Sequence, residues 1–133
     1  MAEARSPWIA VGALNAAIAV AAGAFAAHGL RGKLEPRALE VFETGARYHM
    51  YHALALVLAG IIATWGSASG LTARATDGAH TAGWLIQGGI VLFCGSLYAL
   101  ALTGIAALGA ITPLGGVAFL AGWLWLAWTS WRR

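Results

Sequence analysis

The chain has 133 residues, of which 60% are hydrophobic and only 10% charged, with a mean hydropathy of +0.74. Soluble domains carry about a quarter charged residues, so the composition excludes an ordinary soluble fold and indicates a membrane protein with room for one domain. The formal charge of +3 rests on eight Lys and Arg, several of them flanking apolar runs, a pattern that suits membrane orientation and not the basic stripe of a nucleic-acid binder. Cys94 is the single cysteine, which rules out an internal disulfide framework and a Cys-based metal motif.

Met1 to Pro7 reads as a short polar leader carrying Glu3 and Arg5. Trp8 to Ala27 follows without a charge for 20 residues, the length of one spanning helix. Arg5, the apolar core and the small residues Ala22, Gly23 and Ala24 imitate a signal peptide, yet the run is long for a signal core, and a retained helix is expected. Gly23 and Ala27 stand at the small-xxx-small spacing that packs helices in lipid. Asn15, the one polar side chain inside, is expected to make an interhelical hydrogen bond.

Gly29 to Glu35 is a turn-rich connector, and Pro36 suits the first position of a second helix that meets no strong breaker before Gly60. Its first part, about residues 36–47, is amphipathic. Leu39, Phe42, Ala46, His49 and Met50 share one face, while Glu40, Glu43, Arg47 and Tyr51 share another, with Glu43 and Arg47 in the favourable i,i+4 order. This part is expected at the interface, with Gly45 as the place for a kink. The apolar run from Ala53 to Trp65 covers only about 20 Å of a hydrocarbon core of about 30 Å. A span over 48–65 therefore draws Tyr48 to His52 into the membrane surface, where ionisable side chains are costly and become site candidates.

Gly66 to Thr81 reads as a polar loop whose only charges are Arg74 and Asp77, with His80 a solvated loop residue. A third span over 84–108 follows, with Gln87, Cys94 and Tyr98 on one interior face. Gly109 to Ile111 makes a turn, Thr112 and Pro113 read as N-cap and first helical position, and the fourth span covers 113–131 before Arg132 and Arg133. The expected fold is all-α: a single integral membrane domain over 1–133, a four-helix up-down bundle with an amphipathic segment between the first two spans. Alternating helices bring all seven Trp toward the side holding both termini, as an aromatic belt. Basic residues tie at four on each side, and Arg132 and Arg133 beside a span favour cytoplasmic termini.

Four stretches together resemble one small family: GAFAAHGL (Gly23 to Leu30), FETGARYHMYHALAL (Phe42 to Leu56), FCGSLYALALTG (Phe93 to Gly104) and ITPLGG (Ile111 to Gly116). The chain is similar, from Ile9 to about Trp128, to the YgdD-like and transmembrane-protein-256-like four-helix membrane proteins, a domain of unknown function. It departs from their pattern at Ala26, where Gly is expected, and at His49, where Gln is usual. The resemblance implies an inner-membrane or mitochondrial protein and no assigned activity.

The candidate site is the polar cluster His28, Glu43, Arg47, Tyr48, His49, Tyr51, His52 and Tyr98. One reading has His28 and His52 hydrogen-bonding to neighbouring helices, Glu43 or Tyr98 to lock the bundle. A second makes His49 and His52, three residues apart, metal or haem ligands with His28 as the third and Glu43 near. A third is an ion or proton path through Glu43, Arg47, His52 and Tyr98, which would need an oligomer. A fourth seats a lipid or quinone beside Phe25, Tyr48 and Tyr51. No catalytic motif is found. The expectation is a non-catalytic accessory or assembly protein in the inner membrane. Its partners would be the lipid bilayer and a protein partner or second copy, without nucleic acid and without an expected cofactor.

Overall fold

The computed structural model describes residues 6–66 and 68–131; Glu3, Arg5, Arg132 and Arg133 lie outside them. Four helical rods account for nearly everything: α1 (Trp8–Leu30), α2 (Pro36–Trp65), α3 (Ala73–Thr103) and α4 (Thr112–Trp131). Each is long and apolar enough to cross a membrane. The chain is thus an all-helical four-helix membrane bundle.

Facing residues set an up-down order. Gly12 lies against Ala53 and Val57, and Gly60 against Trp8 and Ile9, so α1 and α2 run antiparallel. Gly45 meets the Tyr98 ring while Gly66 meets Thr76, which antiparallels α2 and α3; Gly78 with Thr129 and Gly115 with Phe93 do the same for α3 and α4. Nearly every close approach has a glycine in it. In lipid no hydrophobic drive pushes helices together, so tight van der Waals contact between bared backbones supplies the cohesion. The expected small-residue pair at Gly23 is not used: a Cβ there would meet nothing within 4 Å. The close contacts between α1 and α2 sit instead at Gly12 and Gly60.

On α2 the exposed residues Arg47, Tyr51, Leu54, Leu58, Ile61 and Trp65 form one outward ridge. Between its ends it rises about 27 Å at 1.5 Å per residue, close to the hydrocarbon thickness. Arg47 and Trp65 therefore mark the two interfaces on this helix, and the turns before Ala46 stand outside the hydrocarbon. The helix is α-helical throughout, so the amphipathic stretch and the span that follows it are one continuous element. Gly45 is not a breaker. It is where the Tyr98 ring packs, 3.0 Å from a Cβ at that position.

The third helix differs most from its expectation. It starts at Ala73 inside the supposed loop, capped by the Thr72 hydroxyl, which accepts from the Ala75 amide at 3.3 Å. Ala75, Ala79 and Ala82 make a buried stripe at helical spacing, and Gly78 serves the contact with Thr129, not a turn. His80 is accordingly half-buried on a helix and not a solvated loop residue. The helix ends at Thr103, earlier than expected, because Gly104 takes the left-handed conformation (φ +70°) that closes a helix. Residues Ala106–Ala110 then form a 3₁₀ turn. Two turns are wider than α, Ala26–Leu30 at the end of α1 and Ile90–Cys94 within α3, and the second carries Phe93 against Gly115.

Trp8 also departs from the belt. It is buried against Gly83, with its ring edge-on to Trp84 at 4.9 Å. Trp65, Trp84, Trp123, Trp125, Trp128 and Trp131 remain exposed, with Trp65, Trp125, Trp128 and Trp131 near the end where α2 and α4 finish.

Candidate functional site

Two histidines one turn apart on α2 centre two separate hydrogen-bonded sets. His49 is buried between α1 and α3. Its Nε2 lies 2.9 Å from Asn15 Oδ1 on α1, and its Nδ1 lies 3.0 Å from the Tyr98 hydroxyl on α3. The Asn15 amide nitrogen donates to the Val11 carbonyl at 2.9 Å and to Gln87 Oε1 at 3.0 Å. Because a carbonyl only accepts, that orientation leaves Asn15 Oδ1 facing His49, whose Nε2 must carry the proton. The neutral ring then accepts at Nδ1 from Tyr98. The chain of donors runs from Tyr98 through His49 and Asn15 to Gln87, tying α1, α2 and α3.

His52 has the opposite tautomer. Its Nδ1–H donates to the Tyr48 carbonyl at 2.8 Å, and its Nε2 accepts from the Trp123 indole N–H of α4 at 3.2 Å. The imidazole lies flat on Phe119, centroids 3.5 Å apart and planes within 10°. Tyr48, Phe93, Phe119 and Trp123 ring it and, with Pro113 and Leu120, line an outward-open groove of about 420 Å³. One more tie joins α3 to the start of α4, where the Ser96 and Thr112 hydroxyls are 2.6 Å apart.

Of the cluster read from the sequence, the structure brings together His49 with Tyr98 and Tyr48 with His52. His28, Glu43 and Arg47 do not join them. His28 is exposed at the end of α1, and no hydrogen bond joins it to His49 or His52 among the described residues. Among the described residues Glu43 and Arg47 form no ion pair, and the pair found is Arg37–Glu40, at 2.8 Å on the exposed start of α2. Tyr51 points outward with its ring against Tyr48. Both nitrogens of each buried imidazole, His49 and His52, face protein partners, His28 stands away from them, and no group of three potential metal ligands gathers among the described residues.

Phe119 and Trp123 are the site residues that sequence reading missed. Trp123 had a usable signal. It stands eight residues before the end of α4, about 12 Å in, too deep for a headgroup belt. Trp123→Phe is expected to leave His52 Nε2 unpaired and lower stability by about 1 kcal/mol. Equilibrium unfolding of both proteins in mixed micelles checks this.

Four antiparallel spans locked by buried polar side chains define a polytopic helical membrane protein. The chain belongs to the family described as Protein of unknown function (DUF423), whose pattern matches residues 22–116. It is 52% identical over 117 residues to the UPF0382 membrane protein YwdK of Bacillus subtilis, covering 88% of this chain and 89% of that one. It is also 50% identical over 119 residues to the UPF0382 membrane protein SAB0533 of Staphylococcus aureus, covering 90% of each. No solved structure matches.

Proposed function

We propose that this is a non-catalytic accessory or assembly protein of the bacterial inner membrane, a rigid four-span body that offers its outward face to a protein partner. One observation carries the reading: every nitrogen of His49 and His52 is engaged by another protein group, three of the four by groups on neighbouring helices. Side chains so committed hold helices in register and leave little free for chemistry. The outward ridge of α2, with Tyr48, Tyr51 and Arg47 near one interface, is the partner surface in this reading. In this reading both termini lie on the cytoplasmic side, which Arg132 and Arg133 beside the last span support, and the four sequence motifs support a kinship with the YgdD-like and transmembrane-protein-256-like proteins.

A photo-crosslinking amino acid at position 51 in native membranes tests this reading, with the same probe at Leu124 of α4 as control. A discrete protein adduct from position 51 alone is the expected result. Lipid adducts alone at both positions would overturn the partner surface. Elemental analysis and an absorption spectrum of gently purified protein are expected to give no stoichiometric metal and no chromophore. A metal lost in His49→Ala or His52→Ala would replace this reading with a cofactor site.

A second reading has one observation in its favour. The groove of about 420 Å³ ringed by Tyr48, His52, Phe93, Phe119 and Trp123 is open toward lipid and aromatic on its walls, which suits a flat apolar ligand such as a quinone. Solvent extraction of the purified protein, followed by mass spectrometry, distinguishes the two.

A further inference from the structure

We propose that the groove between the start of α3 and the end of α4 seats the headgroup of a phospholipid carrying a phosphate and a primary ammonium. The groove has a volume of about 500 Å³ and is lined by Arg74, Asp77, Gly78, Trp125, Trp128 and Thr129. It lies at the end of the bundle where the exposed tryptophans gather, and Trp favours the headgroup layer.

The floor is closed by the contact of Gly78 with Thr129, where a Cβ would come within 2.6 Å of the Thr129 Cβ. The Thr129 hydroxyl turns away into its own helix, donating toward the carbonyls of Trp125 (2.9 Å) and Leu126 (3.2 Å). Recognition therefore falls to the two charged side chains on the rim.

Arg74 does not swing freely. Its guanidinium carbon sits 4.0 Å from the centroid of the Trp128 ring. No hydrogen bond or ion pair among the described residues engages the guanidinium N–H groups, and these can take a phosphate by paired hydrogen bonds. Asp77 follows three residues later on the same helix and lines the same groove. The Arg37–Glu40 contact is the ion pair found among the described residues, so the Asp77 carboxylate makes no direct ion pair with Arg74. A cation and an anion side by side at headgroup depth match the phosphate–ammonium dipole of a zwitterionic lipid. They disfavour a purely anionic headgroup, which Asp77 repels.

The ammonium is a primary one. A carboxylate accepts charged hydrogen bonds from N–H donors, which a trimethylammonium lacks. The aromatic box that would suit a quaternary amine is already used, since Arg74 covers a face of Trp128. Below Trp128 the exposed residues Leu124, Leu120 and Val117 continue along α4, a ridge for the acyl chains.

Native mass spectrometry tests this on protein exchanged into nanodiscs of palmitoyl-oleoyl phosphatidylethanolamine, phosphatidylcholine or phosphatidylglycerol. Wild type is expected to retain the ethanolamine lipid about tenfold better than either other lipid, and Arg74→Ala to lose that retention by about tenfold. Asp77→Asn is expected to keep phosphate-dependent binding while bringing ethanolamine and glycerol lipids to about equal retention. Both side chains are exposed, and thermal unfolding of the lipid-free variants in dodecyl maltoside is expected to match wild type. Phosphatidylglycerol held as well as phosphatidylethanolamine by wild type would overturn the proposal, as would Arg74→Ala retaining lipid like wild type.

Discussion

His49→Ala is expected to destabilise the bundle by about 2–4 kcal/mol, whereas His49→Gln restores most of the loss. Truncation leaves Asn15 Oδ1 and the Tyr98 hydroxyl facing a dry void, since His49 is their partner at 2.9 and 3.0 Å. A single hydrogen bond between membrane helices contributes little, on average about 0.6 kcal/mol. The larger figure comes from stranding two buried polar groups and opening a cavity between α1, α2 and α3. Glutamine has what the imidazole has: an N–H for Asn15 and an oxygen for Tyr98. Reversible unfolding in mixed detergent micelles measures both variants. A His49→Ala protein as stable as wild type would show that the network follows the packing instead of holding it.

Gly115→Ala is expected to cost about 3 kcal/mol or more, at the upper end of what overpacking does, and to lower the yield of folded protein. The added Cβ would come within 2.7 Å of the Phe93 Cα and closer still to its backbone nitrogen. Backbone in a helix cannot rotate away as a side chain can, so α3 and α4 must separate. Gly60→Ala faces the same obstacle, with the Ile9 nitrogen 2.6 Å away, while Gly23→Ala meets nothing within 4 Å. Gly23→Ala should instead be neutral or slightly stabilising, by virtue of better helix propensity. Melting temperatures of the three variants in one detergent decide the matter, and a Gly23→Ala protein as damaged as Gly115→Ala would contradict the observed packing.

Much of this protein is determined by its sequence alone. Four apolar stretches near or above the spanning length, separated by short turns, leave little besides a bundle, because lipid forbids unpaired backbone and each span must be helical. Asn15 was readable as an interhelical hydrogen bond for the same reason: a lone amide among apolar residues has to find a partner. Gly104 and Thr72 had legible roles as helix end and cap, but the many neighbouring Gly, Ser and Thr hid them.

The tertiary structure decided which partner each polar group takes and which glycine matters. Gly23 and Gly115 are alike in sequence, and only the lie of the neighbouring helix makes one indifferent and the other indispensable. Trp8 and Trp131 are likewise the same residue near opposite chain ends, one packed against Gly83 and the other exposed. His49 and His52, three residues apart, invited a shared ion. Turned about 300° around the helix from one to the next, they instead meet different neighbours, Asn15 and Tyr98 for the first and Trp123 and Phe119 for the second. Periodicity tells which face a side chain leaves from. What stands opposite is set by how three other helices are rotated and shifted, and that depends on long-range packing with no signature in local sequence.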